Sequence, residues 1–190
     1  MRSGEFESDE AFPDPSNYYI GGRPQKGLID YDLLTKLIMA LAYGYTQHNS
    51  VLYKAHGSIL VFMPGVPEIN KLARLLEQHY NRNATLTSGE RVPCLTILPL
   101  HGNLSPTEQK LVYKKVKPNE LKVVIATNVA EASVTLPDVT VVVDTCRVKE
   151  VCMDDELQTS ALVMRLAAKD SLRQRKGRAG EWVVYIYVCI

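Results

Sequence analysis

The sequence lacks any apolar run approaching the roughly 18 residues of a membrane span, and its N-terminus lacks a signal-peptide pattern. These absences predict a chain with no spanning helix and no leader. A charge excess is missing too. The net charge is +1 over 190 residues, so any affinity for nucleic acid must come from local clustering and not from a globally basic surface. Cysteine is sparse: Cys94, Cys146, Cys152 and Cys189 form no CxxC pair and have no histidine at ligand spacing. That spacing argues against a zinc site and predicts a reducing, intracellular setting.

What is present is an ordinary globular balance, 46% apolar and 23% charged, in a length that suits one domain better than two. Charge is unevenly placed. Residues 1–15 carry Glu5, Glu7, Asp9, Glu10 and Asp14 against Arg2, whereas residues 165–178 carry six Lys or Arg against Asp170. We expect residues 1–16 to be either an acidic, disordered tail or, from "MRSGEF", a cloning remnant, outside the fold in both cases, and residues 17–190 to form the domain.

Hydrophobic spacing then alternates between two periods. "IDYDLLTKLIMALAYGY" (29–45) and "GVPEINKLARLLEQHY" (65–80) place apolar residues on one helical face, with Pro67 tolerated in a first turn. "SPTEQKLVYKKV" (105–116) predicts a helix capped by Ser105, with Glu108 completing a capping box. Between them lie near-continuous apolar runs: "GSILVFMP" (57–64), "CLTILPL" (94–100), "LKVVIAT" (121–127) and "VTVVVDT" (139–145). A helix is expected around 160–175, then a last strand in "WVVYIYVCI" (182–190). Apolar strands alternating with helices predict a three-layer α/β/α domain with a mostly parallel sheet covered on both faces.

Ligands of such sheets bind beyond the carboxyl ends of the strands, where helix N-termini favour anions. Four segments are expected there: "MPGVPE" (63–68), "LHGNLSPTEQ" (100–109), "ATNVAEASVT" (126–135) and "QRKGRAG" (174–180). Their small, hydroxyl, amide and basic residues suit phosphates better than acid–base chemistry. Thr127, Asn128, Ser133 and Thr135 can hydrogen-bond phosphate or sugar oxygens, although Thr, Asn and Ser serve equally as helix caps. Arg175 and Arg178 lie three apart beside Gly177 and Gly180, which suits bidentate phosphate recognition; the bland reading is a solvated basic turn. His101 reads as a structural hydrogen-bonder, and Tyr113 as either a base-stacking ring or edge packing.

These four segments, in this order, resemble the second RecA-like domain of DEAH-box RNA helicases. "GSILVFMPG" looks like that family's motif IV region, "VVIATNVAEASVT" like motif V and "QRKGRAG" like motif VI; the likeness covers about residues 25–181. "HGNLSPTEQKLVY" and "QRKGRAG" look most like the Spindle-E type, germline helicases with a tudor domain that act in the piRNA pathway. The resemblance implies that Gly102, Asn103, Thr127, Asn128 and Thr135 hold the backbone of single-stranded RNA. It implies that Ser133, Tyr113 and Asp138 face the nucleotide, and that Gln174, Arg175 and Arg178 face the ATP phosphates, with Arg178 as an arginine finger. It also implies a cytoplasmic location, at perinuclear germ granules for the Spindle-E type.

The chain departs from the family in two ways. It contains no GxxxxGK[ST] and no DEAH tetrapeptide, so the phosphate cradle, the Mg²⁺ ligands and the water-activating glutamate are expected on a first RecA-like domain preceding residue 1. Further domains are expected beyond the last strand. On this reading the chain alone does not hydrolyse ATP. Second, Glu181 stands where the family carries a further phosphate-facing arginine. A carboxylate ~5 Å from the γ-phosphate would repel it by roughly 3 kcal/mol at an effective dielectric near 20. Either the protein is a weak ATPase, or the turn after Gly180 is shortened and Glu181 opens the strand, or the end of the chain is foreign sequence. The competing class is a degenerate RecA-like scaffold that binds RNA or protein without nucleotide turnover. A small-molecule-binding α/β domain fares worse, for want of a convergent apolar pocket pattern.

Overall fold

The computed structural model describes residues 19–20, 23–24, 29–45, 57–84, 93–115, 117, 120–132, 136–154, 159–178 and 184–188. The acidic stretch 1–16 lies outside them. At the start, β1 (Tyr19–Ile20) and β2 (Arg23–Pro24) pair antiparallel. Next come α1 (Tyr31–Tyr45), β3 (Ser58–Phe62), α2 (Val66–Ala84), β4 (Cys94–Leu100) and α3 (Pro106–Gln109), which continues as a 3₁₀ turn over Lys110–Tyr113. The chain proceeds through β5 (Glu120–Ala126), α4 (Val129–Ala132), β6 (Val139–Asp144), β7 (Arg147–Asp154), β8 (Thr159–Leu166), α5 (Lys169–Lys176) and β9 (Val184–Tyr187).

Five strands form one parallel sheet in the order β4-β5-β3-β6-β9. Alternate residues of its central strands feed two separate cores. Ile59, Val61, Val123, Ile125, Val141 and Val143 meet Leu34, Ile38, Leu72 and Leu76 of α1 and α2 on one face. Leu60, Phe62, Val124, Ala126 and Val142 meet Val112, Ala130 and Leu136 on the other. This is the RecA-like α/β arrangement, and it explains why β3, β5 and β6 read as unbroken apolar runs: both faces need side chains. The edge strand β4 is only partly buried and Cys94 is exposed, so its apolar run does not mark full burial. Among the described glycines the tightest surroundings are at Gly57, where a Cβ would lie 1.9 Å from the Thr140 hydroxyl oxygen.

Three expectations are corrected. The helix expected around 160–175 is two elements: residues 159–166 are β8, paired antiparallel along its length with β7, and only Lys169–Lys176 are helical. Leu, Met, Ala and Arg are good helix formers, but ladder pairing overrides that weak preference. The helix expected over 105–116 tightens and stops at Tyr113. Its capping box forms as read: Glu108 N–H donates to Ser105 Oγ, and the Ser105 amide donates to the Glu108 carboxylate. However, the carbonyls of Val112 and Lys114 go to the Lys122 ammonium, and Lys114 turns extended. Third, Gln174–Lys176 are the last turn of a helix and not a loop leaving a strand; the chain beyond them enters β9, which runs parallel to β6.

Cys94 and Cys152 are free thiols and Cys146 is disulfide-bonded. No described helix is long and apolar enough to cross a membrane.

Candidate functional site

Parallel strands end together, so the sequence segments that follow them gather on one edge. The Thr127 amide donates to the Leu100 carbonyl at 3.1 Å, which brings the exit of β5 beside the exit of β4. His101, Gly102 and Asn103 therefore flank Thr127 and Asn128, and Gly102, Asn103 and Asn128 are exposed. The Met63 amide reaches the Ala126 carbonyl, and both the amide and the hydroxyl of Thr145 reach the Phe62 carbonyl, so the β3 and β6 exits join the row. A Cβ at Gly102 would meet nothing within 4 Å. The fold itself does not need glycine there, which leaves open backbone for a ligand to approach. Thr127 also starts α4: its carbonyl accepts from Ala130 and its hydroxyl lies 3.5 Å from the Val129 amide. Capping and ligand contact are both open to this threonine. Ser133 and Thr135 lie outside the described residues.

The second group centres on α5. Arg175 is 1% exposed, although it belongs to the most basic stretch of the chain. Its Nε donates to Glu131 Oε1 at 2.6 Å, and its Nη1 donates to Asp144 Oδ1 at 3.0 Å. The guanidinium carbon sits 4.9 Å from the centroid of the Phe62 ring. One turn back on the same face, the Ser171 hydroxyl donates to Glu131 Oε2. Asp144, fully buried, accepts further from the Cys146 amide at 2.7 Å and from the Tyr185 hydroxyl. Cys146 has φ 56°, a left-handed conformation uncommon for a residue with a Cβ, and that amide bond helps hold it there. Burial and the neighbouring Asp144 carboxylate push the Tyr185 phenol well above its ordinary range.

Arg178 differs from Arg175 in burial and in side-chain partners. Its amide still bonds helically, to the Arg175 carbonyl, but its side chain is half-buried and its Nε has no hydrogen-bond partner. Gln174, one turn earlier, is exposed. The i, i+3 spacing of the two arginines thus does not put them on a common target: one guanidinium is held by two carboxylates and the other carries an unused buried donor.

The third group lies away from the carboxyl edge. Asp138 precedes β6, and its carbonyl accepts from Ser58 at the start of β3, which places it at the amino end of the sheet. Its carboxylate meets the ammonium of Lys122 at 2.6 Å. The same ammonium donates to the carbonyl of Val112 at 2.7 Å, next to Tyr113, whose ring-bearing residue is 48% exposed. Tyr113 and Asp138 are therefore brought together, whereas Thr127 and Asn128 sit at the opposite end of β5. Lys122 went unnoticed in the sequence because a single lysine inside "LKVVIAT" carries no motif signal.

The helicase conserved C-terminal domain model matches residues 44–182. This chain belongs to that family. It is 35% identical over 152 residues to the spindle-E helicase of Culex quinquefasciatus, covering 79% of this chain and 10% of that protein. It is 37% identical over 153 residues to the DExH-box ATP-dependent RNA helicase DExH4 of Arabidopsis thaliana, covering 80% of this chain and 10% of the relative. Among solved structures, the E. coli DExH-box NTPase HrpB aligns with a TM-score of 0.63 and 26% identity, over 87% of this chain and 18% of that one. The chain thus spans about a tenth of the curated relatives it matches.

Among the described residues no three His, Cys, Asp or Glu gather as a metal site would require. The partnerless Nε of Arg178 beside exposed Gln174 fits an anionic ligand such as the phosphates of ATP.

Proposed function

We propose that this domain is the second motor domain of an ATP-dependent RNA helicase. Its carboxyl edge grips the backbone of single-stranded RNA, and the end of α5 presents Arg178 and Gln174 to ATP carried on a first RecA-like domain. The division between the two arginines carries the reading. Arg175 is committed inside the fold, so it orients the last turn of α5 from beneath. Arg178 keeps a buried donor in reserve for a phosphate. Phosphoryl transfer needs little beyond positioning and charge neutralisation, and a well-placed arginine can supply a large share of both.

Along the carboxyl edge, Gly102 and Asn103 with Thr127 and Asn128 offer backbone amides, a hydroxyl and a side-chain amide on exposed turns. Such donors suit phosphate and sugar oxygens and read little base identity. Ser133 and Thr135 extend the nucleotide and RNA contacts by resemblance. The likeness to spindle-E extends the reading to piRNA-mediated silencing in the germline cytoplasm.

The test is RNA-stimulated ATP hydrolysis by residues 17–190 joined to a first RecA-like domain. Arg178→Ala should lower the rate on the order of 10³-fold, while residues 17–190 alone should show no turnover. An Arg178→Ala protein as fast as its parent sinks the arginine-finger role. RNA binding without hydrolysis in both proteins would favour the scaffold.

A further inference from the structure

We infer that Lys122 is a positioning residue that holds Tyr113 and Asp138 in one fixed arrangement on the nucleotide-base side of the domain. The inference rests on the reading of Tyr113 and Asp138 given above. Lys122 lies within β5, among Leu121, Val123 and Val124, and is 1% exposed. An ammonium there is costly to bury, and an apolar side chain would satisfy packing as it does at its neighbours.

Its surroundings match what an ammonium alone can do. It has three N–H donors, and three oxygens surround it: Val112 O at 2.7 Å, Lys114 O at 3.4 Å and Asp138 Oδ2 at 2.6 Å. The two carbonyls flank Tyr113 on either side in the chain. They are also the carbonyls that a longer helix would have given to its own next turn. The Lys122 ammonium therefore stops the 3₁₀ turn at Tyr113, aims the residue outward, and sets the Asp138 carboxylate at a fixed distance from it. Tyr113 is 48% exposed, so the turn that carries it has more need of an anchor than a core residue would. Asp138 keeps 33% of its side chain exposed, so the pair does not seal it from a ligand. A stacking ring and a carboxylate preset in this way lose less freedom on meeting a base and its sugar.

The variant that tests this is Lys122→Met combined with Asp138→Asn, which removes both charges and strands neither. The first readout is amide hydrogen exchange in the 190-residue chain. The Lys114 amide, bonded to the Leu111 carbonyl, should exchange about tenfold faster while the β5 amides of Val123–Ala126 stay unchanged. No change at Lys114, or equal acceleration throughout the sheet, overturns the proposal.

The second readout is ATP hydrolysis with a first RecA-like domain attached, beside Tyr113→Ala. The double variant should raise KM for ATP about tenfold above Asp138→Asn alone, toward the Tyr113→Ala value, with kcat within about twofold. If Tyr113→Ala raises KM and the double variant does not, Lys122 does not position Tyr113, and the reading of Tyr113 stands. If the double variant raises KM and Tyr113→Ala does not, Tyr113 is not what Lys122 holds for the nucleotide, and both statements fall.

Discussion

Arg175 and Lys122 are both cations almost wholly withdrawn from solvent, yet they are built differently. Arg175 sits in the basic stretch where a sequence reading expects an outward phosphate contact, and its guanidinium instead ties α4 and α5 to the sheet through Glu131 and Asp144. Lys122 sits where a reading expects nothing but packing, and it gathers carbonyls and one half-open carboxylate. The planar fork of arginine suits two carboxylates approaching from fixed directions, while the compact ammonium suits three oxygens arranged around a point. Residue type therefore explains the shape of each set of partners, although neither set was foreseen from the sequence.

The sharpest way to break the comparison is to remove each charge. Arg175→Met strands Asp144 and Glu131 inside the fold and should cost about 3–5 kcal/mol, read by urea unfolding with an unchanged slope. Lys122→Met should cost less, about 2 kcal/mol, because Asp138 is partly solvated. Adding Asp138→Asn should recover most of that loss. Equal costs for the two single variants would show that the contrast between a sealed and a half-open pair has no energetic weight.

Tyr185→Phe removes one donor from Asp144 and leaves the other two, so about 1.5 kcal/mol is expected. It also has a pH signature. Burial, with the Glu68 charge adding to it, pushes the Tyr31 phenol up to about 12 from 10.0, and Tyr185 is raised too. Both phenols are therefore protonated in the folded state at pH values where the unfolded chain ionises. Their contribution is complete below pH 10 and declines above it, the Tyr31 part being lost as pH rises through about 12, so unfolding midpoints should fall over that window. The fall should be shallower in Tyr185→Phe.

The acid side carries a smaller effect. Hydrogen bonds from Ser105 hold the Glu108 carboxyl below its ordinary 4.5, so the capping box contributes above that pH and fades as pH drops through the lowered value. Ser105→Ala should weaken this dependence, since it removes the hydroxyl bond and leaves the amide bond. Smallest of all, Gly102→Ala should leave the unfolding midpoint unchanged, since its Cβ meets nothing, while weakening RNA binding. A shifted midpoint there would mean that the turn needs its glycine for the fold.

How much of this was legible follows from how each element earns its burial. Strands β3, β5 and β6 face helices on both sides, so their apolar runs stood out, and the Ser105–Glu108 box formed as its spacing foretold. The β7–β8 hairpin was missed because it buries little: Val151, Met153 and Leu162 remain exposed, and its base alone, through Val148 and Leu166, is seen packed on the Cys146, Ala167 and Leu172 cluster. What ties it down is Lys149, bound to both oxygens of Glu68 at 2.8 Å, a pairing across 81 positions that no local window contains. The turn carrying Tyr113 and the inward aim of Arg175 were illegible for the same reason. Each depends on partners from distant segments.

The order β4-β5-β3-β6-β9 has one further consequence, for how the domain is made. Strand β3 is the centre of the sheet, yet both its neighbours, β5 and β6, are encoded far downstream of it. On a ribosome adding about 5–20 residues per second, the 82 positions between Phe62 and Asp144 take roughly 4–16 s to appear. Through that interval the most apolar strand of the sheet exists without its full complement of partners. Synthesis rate and chaperone access should therefore govern the yield of this domain more than its final stability does.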